Sequence, residues 1–196
     1  MDINLFDKIA GKLVEIETIS IEDKKLYEYG LKQIASTLAN VATTLIIGFI
    51  FGMVWESILF MVSYIPLRSY AGGYHARTPL RCYIFSVILT VGVLLTVRYM
   101  PHDMILVGAL ILISGILLFV FAPIGDENKP LDEVEIKVFK RRARLVLIIQ
   151  FILIGVIWVS GLIWIAVCVA VSITVASLMV MISVITKALF KNKKSR

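Results

Sequence analysis

The residues best suited to chemistry lie in one short stretch, Arg68-Ser69-Tyr70-Ala71-Gly72-Gly73-Tyr74-His75-Ala76-Arg77-Thr78-Pro79-Leu80-Arg81-Cys82, which holds one of the 2 histidines and one of the 2 cysteines of the chain. Thr78-Pro79 reads as a helix start, with Thr78 as N-cap and Pro79 at the first helical position, where a missing N–H costs nothing. That puts Cys82 in the first helical turn. The positive end of a helix, the adjacent Arg81 and a protonated His75 would each favour its thiolate, while a nearby bilayer would oppose it. His75, seven residues upstream, could take the thiol proton and return it to a leaving amine. Gly72-Gly73 has backbone freedom that lets amides bend round a carbonyl and bind an oxyanion. Arg68 and Arg77 are candidates for holding acidic substrate groups or lipid phosphates. The same pieces have plainer readings. A lone cysteine at a helix end packs, a Gly-Gly is a flexible loop, and arginines at a membrane face set topology.

The surroundings are a membrane. Of 196 residues 59% are hydrophobic and 17% charged, which is too apolar for a soluble domain. No charge falls between Gln33 and Trp55, Met104 and Gly125, or Leu145 and Thr186. Runs of about 20 apolar residues suit membrane-spanning helices, and the third is long enough for two. Six spans are expected, at about 32–53, 55–70, 80–99, 103–122, 144–160 and 162–186. The second is short, because Glu56 and Arg68 bracket its uncharged part. Residues 1–28 read as an amphipathic interfacial helix, with Leu5, Phe6, Ile9, Leu13 and Ile16 opposite Asp7, Lys8, Lys12 and Glu15. The fold class is therefore all-α: one polytopic membrane domain over 1–196, a bundle at 32–186 with cytoplasmic loops at 68–81 and 123–143, and a basic tail at 187–196.

Charge orients the bundle. The net charge is +6. With both termini inside and all six spans crossing, every one of the 20 Lys and Arg residues except Arg98 lies on the inner side, as the positive-inside bias requires. Without the short second span, the basic loop before residue 144 would move outside. The basic charge thus belongs to cytoplasmic loops, and no nucleic-acid partner is expected. Two cysteines make no disulfide framework, and no Cys/His spacing suggests a metal or other cofactor. Ser160-Gly161 between Trp158 and Trp164 fits a tight outer turn.

The pattern Arg68, Gly72-Gly73-Tyr74-His75-Ala76, Thr78 and Cys82 resembles the accessory gene regulator B (AgrB) family of bacterial membrane cysteine endopeptidases, as do Ala122-Pro123 and Asn128-Lys129-Pro130-Leu131 before the basic run. The likeness covers nearly the whole chain. It implies that His75 and Cys82 are catalytic and that the substrate is a small AgrD-like propeptide of quorum sensing. The propeptide would lose its C-terminal tail through a Cys82 acyl-enzyme and cyclise to a thiolactone or lactone. It also implies a bacterial cell-membrane location and a homodimer. Elsewhere, Cys168 reads as inert packing, His102 as a solvated loop residue, and Asp126, Glu127, Asp132, Glu133 and Glu135 as solvated partners of the basic run. Thr37, Asn40, Thr43 and Thr44 read as helix packing. A small peptide exporter or a non-enzymatic scaffold is the alternative. The exporter is disfavoured by the lack of charge inside the spans and of a visible repeat.

Overall fold

The fold is given by a computed structural model that describes residues 3–73, 78–101, 103–125 and 132–194. The described residues form seven α-helices: α1 (Ile3–Glu15), α2 (Lys24–Phe51), α3 (Val54–Ala71), α4 (Pro79–Tyr99), α5 (Met104–Phe121), α6 (Glu133–Val159) and α7 (Ile163–Lys194). The chain is an all-α membrane protein. Helices α2, α6, Leu80–Tyr99 of α4 and Ile163–Leu189 of α7 are long and apolar enough to cross a bilayer, and α5 is a shorter apolar helix. Helix α3 carries Glu56 and Arg68 within it. Its 18 residues nevertheless extend roughly 27 Å at 1.5 Å each, close to the thickness of a hydrocarbon core.

Two compact units divide the chain, residues 1–44 and 45–196. In the first, the expected single helix over 1–28 is broken. Helix α1 stops at Glu15, Glu17 adopts φ 55°, and the Thr18 and Ile19 amides both donate to the Leu13 carbonyl. Ser20 then accepts from the Asp23 amide at 3.2 Å and donates to its carboxylate at 2.7 Å. Local side-chain bonds of this kind compete with helix and favour a turn. Helix α2 therefore begins at Lys24, eight residues before the expected span. Lys24 bonds Asp7 of α1 at 2.8 Å, and Phe6, Ala10 and Ile19 are buried.

In the second unit α7 is the hub, packed by α3, α4, α5 and α6. Small side chains make this possible: Ala166, Cys168, Ala170, Ser172, Ala176 and Ser177 are all buried and let neighbouring backbones approach closely. One core cluster joins Phe60, Val93, Leu94, Val107, Val167 and Val171. A second joins Leu67, Ala71, Leu118, Leu147, Ile154, Ile173 and Val180.

Polar links fix the register between helices. Ser114 of α5 donates to Thr174 of α7 at 3.1 Å. Pro66 lies inside α3 and has no N–H for the carbonyl four residues back. Next to that gap, the Gln150 amide of α6 donates to the Ser63 carbonyl at 2.7 Å. The turn between α6 and α7 is at Ser160-Gly161, as the sequence leads one to expect. Gly161 takes φ 76°, and the Gly161 and Leu162 amides close back on Trp158 and Ile157, a common helix-ending pattern.

Candidate active site

Helix α4 starts where the sequence indicates. Thr78 is the N-cap, its hydroxyl accepts from the Arg81 amide at 3.3 Å, and Pro79 opens the helix. The Cys82 amide donates to the Thr78 carbonyl at 3.0 Å, so this cysteine stands in the first turn. It is free and half-buried. Tyr64 stacks on Phe60, with ring centroids 5.0 Å apart. His75 and Arg77 lie outside the described residues, as do Tyr74 and Ala76.

Gly72 and Gly73 are held in a clamp. Gly72 has φ 73° and ψ −149°, a region essentially restricted to glycine. Its amide donates to the Arg68 carbonyl at 3.1 Å, and its carbonyl accepts from the Arg68 guanidinium. Ile124, just after α5, pairs with Gly72 as a parallel bridge, with the Ile124 amide donating to the Ala71 carbonyl at 3.0 Å. A Cβ on Gly72 would fall on the Ile124 carbonyl, and one on Gly73 on Arg68 and Met179 of α7. The Gly72 N–H is therefore already engaged, and Arg68 serves the turn itself. Sequence reasoning misses Ile124, because only the fold brings it to the glycines. Lys187 of α7 extends the arrangement by donating to the Gly125 carbonyl.

These contacts gather the end of α3, the segment after α5 and the end of α7 at one end of the second unit. Tyr70 at that end meets Phe139 of α6 edge-on and lies under the Arg142 guanidinium, 5.5 Å from the ring centre. Of the other residues singled out in the sequence, His102, Asp126 and Glu127 lie outside the described residues. Cys168 is 1% exposed in α7, a packing thiol as expected. Asp132 and Glu135 form a capping box at the start of α6, with the Asp132 carboxylate accepting from the Glu135 amide at 2.6 Å. The signal was present as Asp132-Glu133-Val134-Glu135. Among the described residues no cluster of His, Cys, Asp and Glu could hold a metal ion.

A multi-pass helical bundle with a free, half-buried cysteine at a capped helix start and a braced glycine turn earlier in the chain defines the class: a polytopic α-helical membrane protein. The family model for Accessory gene regulator B matches residues 6–190, and the chain belongs to that family. A Putative AgrB-like protein 2 from Clostridium perfringens is 26% identical, over 79% of this chain and 75% of its own. FsrB from Enterococcus faecalis is 25% identical over 71% and 59%, and the Accessory gene regulator protein B of Staphylococcus haemolyticus 24% over 64% and 66%. No solved structure matches. Family membership gives the chain a role in the accessory gene regulator system of quorum sensing and peptide processing there, with an AgrD-like partner.

Proposed function

We propose that the chain is a membrane cysteine endopeptidase that matures an AgrD-like propeptide, with Cys82 as nucleophile and His75 as its base. The observation that supports this reading is a free, half-buried Cys82 in the first turn of a capped α4, a position where the positive end of the helix faces the reacting centre. The Cys82 sulfur attacks the carbonyl of the scissile bond, His75 gives its proton to the departing amine, and a thioester forms. A thiol or hydroxyl within the propeptide then attacks that thioester. His75, neutral after that transfer, takes the proton of this nucleophile, and the ring closes as a thiolactone or lactone while the acyl–sulfur bond to Cys82 breaks. Exchange between thioesters is close to isoenergetic, so excluding water favours the ring over hydrolysis, and an apolar interfacial site helps to do so.

Gly72 and Gly73 serve this site as the braced turn that carries the chain towards His75. Arg68 ties the turn, and Arg77 remains the candidate contact for acidic substrate groups. The charge pattern puts the site and both termini on the cytoplasmic side. The test is co-expression of the protein with its propeptide, comparing substrate mobility between wild type and Cys82→Ala. Cleavage only by the wild type is expected; equal cleavage by the variant would leave the exporter or scaffold reading.

A further inference from the structure

One face of α6 carries a row of cations and apolar residues that the peptidase reading does not use. Lys137, Arg141, Arg144, Ile148 and Ile152 follow one another at spacings of four, three, four and four residues, and so share a side of the helix. Lys137 and Arg141 are exposed, and below them Ile148 and Ile152 are exposed at 52% and 61%. Three cations therefore stand directly over a lipid-facing apolar stripe. Helix α5 continues the apolar surface with exposed Leu112, Ile116 and Phe119. Both helices pack on α7, and they meet through long side chains: the Phe151 ring lies where a Cβ on Gly115 would fall, and Arg144 lies over Phe119.

Arg144 is the built part of the site. Its guanidinium carbon sits 3.9 Å from the centre of the Phe119 ring, and Nη2 reaches the Phe119 carbonyl at 3.4 Å. That carbonyl lacks its usual helical donor because residue 123 is proline. The Nε of Arg144 is buried and has no partner among the described residues. Arg144 as a whole is only partly buried, and a guanidinium matches the paired oxygens of a phosphate.

We propose that Lys137, Arg141 and Arg144 bind the phosphate of an anionic phospholipid whose chains run down the α5–α6 face. The ligand is a lipid because the charge and the exposed apolar surface are continuous. A soluble phosphate would use only the upper half.

The test is native mass spectrometry of the full-length protein released from nanodiscs of equal phosphatidylcholine and phosphatidylglycerol. Wild type should retain phosphatidylglycerol preferentially. Arg141→Gln and Arg144→Gln should each lower that preference about fivefold, the contribution of one basic residue near an anionic surface. Arg98→Gln, which removes the same charge elsewhere, should leave it unchanged. Arg144→Lys keeps the charge without the fork and guards against a folding defect; it should fall between wild type and Arg144→Gln. Equal retention by Arg144→Gln and wild type would overturn the proposal. So would displacement of the lipid by millimolar inorganic phosphate, which would mark an anion site, or by a soluble acidic peptide, which would mark a protein-docking surface.

Discussion

Gly72 shows how much can depend on a missing side chain. Its backbone angles are nearly closed to other residues, and the Ile124 carbonyl occupies the place of its Cβ. Gly72→Ala should cost about 1–3 kcal/mol of stability, read as a lower denaturation midpoint in detergent; an unchanged midpoint would contradict the clamp. The pair is visible in the sequence as a flexible spot, but its partner is not, because Ile124 lies 52 residues away. Thr78 and Pro79 are legible, since capping is local chemistry. A second residue-scale expectation concerns Asp7. Its hydrogen bond to Lys24, reinforced by that residue's charge, holds the carboxyl below its ordinary value. A lowered carboxylate pKa contributes stability above the unfolded value and loses it as pH falls through the folded one. The α1–α2 contact should therefore loosen under acid and in high salt, seen as faster amide exchange in α1. Exchange that does not change with acid would exclude the pair as a tie.

At the scale of elements, the helix bounds expected from the sequence come out within a few residues from α3 to α5, and hydropathy marks α2, α4, α6 and α7 as long enough to cross and α5 as a shorter apolar helix. Helix α6 starts eleven residues before its expected span, at a capping box ahead of the basic run. What hydropathy cannot give is which apolar helix sits in the middle. Helix α7 is as apolar as a lipid-facing span, and only its small residues at Ala166, Ala170, Ser172, Ala176 and Ser177 mark it as the hub. The second feature out of reach is the α6–α3 link. Gln150 is 5% exposed, its amide donates to Ser63, and its Oε1 is buried without a partner among the described residues. Bonds of this kind inside membrane bundles contribute about 0.6 kcal/mol. Gln150→Ala should lose that bond and leave a cavity. Gln150→Leu fills the space and removes the orphan acceptor, so it should lie within about 1 kcal/mol of wild type. Unfolding in mixed micelles measures both, and a Leu variant weaker than Ala would contradict the account.

Gly72, Ile124 and Lys187 meet at a single end of the second unit, the end that the proposed topology has in the cytoplasm. A reporter fused after Lys129 should read as cytoplasmic, and one fused after Arg98 as external; a reversal of either would overturn the topology. The central claim, however, is the sulfur of Cys82. The most direct test is the intact mass of the purified protein after brief exposure to a propeptide whose internal nucleophile is replaced by alanine. A hydroxylamine-sensitive adduct, one water lighter than the free N-terminal propeptide fragment and mapped to Cys82, is the predicted result. Formation of the same adduct by Cys82→Ala, or cleavage by wild type with no adduct at that residue, would contradict it.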